Sequence, residues 1–401
     1  MPLPTPPPPI RTDSSNAFAR NTMQSRVPAI IRDTMRLNPA LPDDIHDKLA
    51  ALARDSETDA QISMITYPAP DYNGWRAAYL AHDGDTWQNT DWFYAETFIY
   101  RHLIEIVGGL ATGYDPFAAK KREEYASAAL WSALDRVLER AFDPDFPPKD
   151  KLYTLIHADL WANSIDLSYA LAASHGSARE RDHLLVDDAD SAVDHLLASR
   201  GGDVHFVLDN TGTELALDLV LVDALLDGHT DTVTLHVKAH PTFVSDATRT
   251  DVLEFLSLLR ERGRSPERVL GDRLSGAISD GRVDIRADWF WNCPYFMWEA
   301  FQPNAAAALL NTADLAAQLS AAKAVIVKGD ANYRRFVGDA LWDASTPFAD
   351  VVGYFPAPVL MLRTLKSDAV VGLPDGLAEK LNRIDPHWRN NGKRGVIQFK
   401  A

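Results

Sequence analysis

DVHFVLDNTGTELALDLVLVDALL, residues 203–226, divides into three parts. Asp203–Leu208 is a short run rich in β-branched and aromatic residues and reads as a strand. Thr213–Leu226 (TELALDLVLVDALL) reads as a helix. Between them lies a polar turn, Asp209-Asn210-Thr211-Gly212. The same grammar repeats downstream: Thr232–Val237 is a second strand and Asp251–Arg260 a second helix. Val283–Ile285, Ala324–Lys328 (AVIVK) and Val359–Leu362 (VLML) are further strands, with helical sequence between most of them. Strands alternating with helices, and apolar without a break, predict a parallel sheet covered on both faces.

Upstream the texture differs. Ser127–Arg140 sets Leu130, Leu134 and Leu138 on one helical stripe, and Asp91–Val107 is a largely apolar helix. The expected fold is therefore an α/β, doubly wound, mainly parallel sheet (α/β/α) with an N-terminal helical domain. The expected divisions are a Pro-rich tail at 1–15, a helical domain at 16–200 and an α/β domain at 201–401. Six prolines within the first nine residues predict an extended or disordered start.

With 46% hydrophobic and 24% charged residues the composition is that of a globular protein. A formal net charge of −16 argues against nucleic acid or an anionic membrane as partner. The single cysteine, Cys293, excludes an intrachain disulfide and a multi-thiolate zinc site. No signal peptide or membrane-length apolar run is evident, so a cytoplasmic location is expected.

Ligands of open parallel sheets bind beyond the carboxyl ends of the strands. Here those ends release Asp209-Asn210, then Lys238 to Asp246, Asp288 with Trp289–Asn292, Lys328 to Arg334, and Arg363 to Lys366. Asp209, Asn210 and Asp246 offer oxygen only, which suits a hard divalent cation; each Asp could instead cap the helix downstream of it. Free N–H groups at the start of the Thr213 helix are expected to face the site. Glu214 is a candidate support for the metal, and Asp218 reads as solvated. Lys328, Arg334, Arg363 and Lys366 supply charge for a phosphate, whereas Arg335 reads as a surface ion pair. No P-loop, dinucleotide fingerprint, zinc-protease helix or nucleophile elbow occurs.

Four segments together resemble the damage-control phosphatases: Val207–Leu215, Lys238–Asp246 (KAHPTFVSD), Lys328–Arg334 (KGDANYR) and Arg363–Lys366 (RTLK). The Arg-Thr-x-Lys element resembles the subfamily that includes a sugar-phosphate phosphatase also described as an acidic-residue methyltransferase. Trp92–Glu96 with Tyr100-Arg101, Leu160–Asn163 with Asp166–Ser168, and Gly392–Phe399 are similar to it as well. The resemblance implies activity with Mn²⁺, Co²⁺, Ni²⁺ or Mg²⁺ on small phosphorylated metabolites such as fructose 1-phosphate. It implies Asp209, Asn210 and Asp246 as metal ligands. It further implies substrate contacts from Asp209, Asn210, Asp330, Ala331, Asn332, Tyr333, Arg334 and Lys366, with Asp209, Asp330 and Lys366 catalytic. Ala331 stands where a larger apolar residue is usual. The nucleophile is either a water or the Asp209 carboxylate. Two rivals are an S-adenosylmethionine-dependent carboxyl methyltransferase and a non-catalytic sugar-phosphate binder. The first is weakened by a turn with only Gly212 and by Lys238-Ala239-His240 where an acid would hold ribose.

Overall fold

The computed structural model describes residues 5–162, 183–263, 265–302 and 308–401. Asn163, Asp166 and Ser168 lie outside the described residues. A sheet of seven strands organises the chain: β1 Leu184–Asp187, β2 Asp203–Val207, β3 Thr232–Lys238, β4 Val283–Asp288, β5 Ala324–Lys328, β6 Val359–Thr364 and β7 Gly395–Lys400. Their order is β1-β7-β6-β5-β2-β3-β4. The block β6-β5-β2-β3-β4 is parallel, whereas β7 pairs antiparallel with β6 and parallel with β1.

The chain therefore leaves β2 towards β3 and β4 on one side, then returns to β5 and β6 on the other. The reversal falls between β2 and β5, and a crevice at the carboxyl ends of those two strands is where such a sheet holds its ligand.

Alternation along the strands sends side chains into two cores. Val325, Val327, Val359 and Met361 pack on one face with residues of the N-terminal helices, among them Trp92, Phe98 and Ile31. Ala324, Ile326, Leu360 and Leu362 pack on the other with the helices α1 (Ala128–Ala141), α2 (Pro148–Leu160) and α3 (Thr213–Leu226). Every residue of α3 from Glu214 onward is buried, including Asp218, expected from the sequence to be solvated.

Two features bear on the expected divisions. On the N-terminal side of 200/201, β1 belongs to the sheet and α1 and α2 pack in one core with α3. The described part of the Pro-rich start is extended but pinned. Ile10 is 1% exposed, its N–H donates to the Asp339 carbonyl, and its own carbonyl accepts from Trp92 N–H.

Candidate active site

The loop after β2 and the segment before the next helix are zipped together. Thr211 N–H donates to the Ser245 carbonyl and Ala247 N–H to the Asp209 carbonyl, each at 2.7 Å. This brings Asp209, Asn210 and Asp246 to one wall of a cleft of about 270 Å³. Asp330, Ala331, Arg334 and Lys366 line it from the ends of β5 and β6, and Arg26, Trp92, Glu96 and Tyr100 from the helical side.

Neither acid caps a helix. Thr248 caps Arg249–Glu261 through a capping box with Asp251, which leaves Asp246 free of that duty. Gly212 precedes α3 with φ 70°, and Thr213 N–H donates to Glu124 Oε1 at 3.1 Å. Nothing in the sequence around Glu124 singles it out. It occupies part of the helix N-terminus expected to face the ligand.

The cleft concentrates negative charge. Burial lifts the Asp209 carboxyl well above the usual carboxylate range, Asp246 and Glu214 repel it in the same direction, and Lys238 and Lys366 oppose them. Burial pushes Asp246 up to about 6 against the pull of Lys238, whose ammonium lies 3.4 Å from Oδ2. That oxygen has no hydrogen bond among the described residues. Buried, mutually repelling oxygens short of donors fit a hard cation. Asn210 Nδ2 donates to Asp209 Oδ2 at 3.0 Å and to Glu214 Oε2 at 2.9 Å, while its Oδ1 accepts from Ser245 Oγ at 2.6 Å. Turned over, the amide would present Oδ1 to an ion, and a serine hydroxyl can hold either orientation because it both donates and accepts. No group of three or more His, Cys, Asp and Glu residues placed for a metal occurs among the described residues, so an ion would rest on two carboxylates and one amide.

Asp330 behaves differently. Burial works to raise its pKa, but the Arg363 and Arg334 charges, Lys366 N–H and the Ser367 hydroxyl outweigh it, and the carboxyl lies below its ordinary range. Its Oδ1 accepts from Arg363 Nε at 2.8 Å, Lys366 N–H at 2.9 Å and Ser367 Oγ at 3.1 Å. β6 runs two residues further than expected, through Arg363 and Thr364, and the chain then bends so that Lys366 lines the cleft. Arg363 braces that bend from behind through the Ala369 and Ser367 carbonyls.

Several expected anion contacts are structural instead. Lys328 is 1% exposed and lies 2.5 Å from Asp159 Oδ1 and 3.0 Å from Asp218 Oδ1, so neither it nor Asp218 meets the cleft or solvent. Arg335 is buried and donates to the carbonyls of Trp291 and Cys293, not to a surface partner. Asn332 and Tyr333 face away from the cleft. Asn332 bonds Lys238 and the Leu208 carbonyl, and the Tyr333 hydroxyl donates to Gln398. Arg334 lines the cleft, yet its guanidinium is committed to Asp339 at 2.8 Å and Glu96 at 2.7 Å, above the Trp92 ring. It braces the wall; its charge is already matched.

Together these features describe an α/β protein with an acidic small-molecule cleft at the switch point of its sheet. Residues 22–381 match the damage-control phosphatase ARMT1-like domain, and the chain belongs to that family, which makes it a metabolite phosphatase. The match crosses both the helical and the α/β stretches. The damage-control phosphatase ARMT1 of Danio rerio is 27% identical over 447 aligned positions, covering 99% of this chain and 97% of the relative. That of Xenopus laevis is 29% identical over 446 positions, covering 99% of each. The crystal structure of a DUF89 family protein from Pyrococcus horikoshii aligns over 94% of this chain and 98% of its own, with 13% identity and a TM-score of 0.46. Among the described residues no helix is long and apolar enough to cross a membrane.

Proposed function

We propose that this chain is a divalent-metal-dependent phosphatase of sugar phosphates such as fructose 1-phosphate, with Mn²⁺, Co²⁺, Ni²⁺ or Mg²⁺ as cofactor. The observation that carries the reading is the meeting of Asp209, Asn210 and Asp246 with Lys366 in one cleft at the switch point. Asp209, Asn210 and Asp246 hold the cation, which when bound offsets phosphoryl charge and polarises the ester. Lys366 lines the same cleft, and its ammonium has no hydrogen bond or ion pair among the described residues. It takes the remaining phosphate charge. Glu214, whose Oε2 lies beside the Asn210 amide, adds to the negative charge that favours a cation there. Asp330 stays ionised, and with Oδ1 engaged by Arg363, Lys366 and Ser367 it presents Oδ2 to a substrate hydroxyl or an attacking water. Glu96 and Trp92, fixed by Arg334, and Ala331 shape the space for the sugar. A cytoplasmic setting suits the buried thiol of Cys293.

The methyltransferase reading is less well supported, since Lys238, at the end of β3, is sealed against Asn332 and Asp246 where an acid would be needed for ribose. A panel of phosphate monoesters with each of the four metals is the test. Release of inorganic phosphate from hexose phosphates, dependent on metal and independent of S-adenosylmethionine, is expected. Carboxyl methylation without phosphate release would reverse the assignment.

A further inference from the structure

We propose that Arg26 selects the substrate by holding a second anionic group on the leaving group. The preferred esters are then phosphorylated sugars that also carry another phosphate or a carboxylate. This rests on the phosphatase reading of the cleft.

Arg26 closes a π-helical turn, Thr22–Arg26, a conformation that recurs at functional sites. Its side chain is exposed and borders two spaces at once: the cleft, and an adjoining groove of about 360 Å³. Ile30 and Val244 line both as well, so the two spaces adjoin. With the phosphate held by Lys366 and the Asp209–Asp246 wall, a substituent of the ester that extends to the groove side of the cleft meets Arg26.

Arg26 is also available. Lys328, Arg334, Arg335 and Arg363 are consumed by carboxylates and carbonyls inside the protein. Lys120, in the groove, pairs with Glu123 at 3.0 Å. Arg26 has no hydrogen bond or ion pair among the described residues. Arg26 and the acidic wall line one cleft with Tyr100. Burial holds that phenol above its usual range, Glu96 and Asp246 push it further up, and Arg26 pulls it down. The backbone between the two spaces is held in an uncommon form, with φ 48° at Phe243 and 73° at Val244. A β-branched residue in that region marks a place where the surroundings impose the conformation. A guanidinium grips a phosphate or carboxylate through two parallel hydrogen bonds, and gains less from neutral hydroxyls.

The experiment compares matched substrates with Mn²⁺ for the wild type, Arg26→Gln and Arg26→Lys. One pair is fructose 1,6-bisphosphate against fructose 1-phosphate; the other is 6-phosphogluconate against glucose 6-phosphate. The wild type is expected to favour the doubly anionic member of at least one pair by about 10- to 100-fold in kcat/KM. Arg26→Gln should abolish that preference, mainly through KM, and Arg26→Lys should keep part of it. The pair that responds tells phosphate from carboxylate. Equal losses on both members would make Arg26 a contact to the transferred phosphate and overturn the proposal, as would no loss on either. Thermal shifts of the metal-free protein with the members of both pairs decide the same point without turnover. Stabilisation that differs within a pair in the wild type and not in Arg26→Gln supports the proposal even if no ester is hydrolysed, an outcome that would sink only the phosphatase reading. Equal stabilisation within both pairs in the wild type would refute the role of Arg26.

Discussion

Lys328 and Lys366 stand at the ends of neighbouring strands on the same edge of the sheet, yet one is sealed and the other open. Lys328 ends β5 and continues the parity of Ala324 and Ile326, which face α2 and α3; its ammonium is therefore driven between Asp159 and Asp218. Lys366 lies beyond the end of β6, on backbone redirected by the hydrogen bond from its own N–H to Asp330, and it lines the cleft. Reaching the carboxyl edge is thus not enough. The last residue of a strand still obeys the alternation of faces, and only residues past that point are released to the ligand.

Four changes test this contrast. Asp209→Ala is expected to reduce phosphate release below detection while leaving circular dichroism and the urea midpoint near wild type, and chelation should do the same reversibly. Activity surviving either treatment would remove the acidic wall from the chemistry. Lys328→Met should instead unfold the protein more easily, by about 3–5 kcal/mol, because two carboxylates are left buried without their cation. Adding Asp159→Asn and Asp218→Asn to it should recover much of that loss in urea titrations. Lys366→Met should cost about 2–4 kcal/mol of transition-state stabilisation, roughly 30- to 1000-fold in turnover, with an unchanged midpoint. If the two lysine variants exchanged phenotypes, the parity argument would be wrong. The smallest effect concerns Val244. Loss of its half-buried side chain would ordinarily destabilise by about 1 kcal/mol or more, but at φ 73° glycine relieves a comparable strain. Val244→Gly should therefore change stability by less than about 0.5 kcal/mol.

The five strands of the parallel block were legible because each is a short apolar run with polar residues at its end. β1 was not, since four residues of which only Leu185 is buried make no pattern; β7 takes its place from pairing with both β1 and β6. The start of the chain offered no periodicity either, because its order comes from Asp339 and Trp92. In the site, Asp209, Asn210, Asp246, Asp330 and Lys366 could be placed at one edge from strand ends alone. The fate of the other charges could not. Arg334 meets Glu96 across 238 residues and Lys328 meets Asp159 across 169, and no local pattern announces such pairings. Glu124 and Arg26 stayed hidden for the same reason: helices remote in sequence bring Arg26 to the cleft and Glu124 to the start of α3.

Gly329, with φ 84°, has a further consequence. A Cβ there would stand 1.9 Å from Asp209 Oδ2, so the backbone after β5 and the carboxylate after β2 already touch. No gap remains to absorb a displacement of one loop relative to the other. Any side chain at 329 would have to displace the Asp209 carboxylate on a backbone that already disfavours one, so the seam between the two loops admits glycine alone.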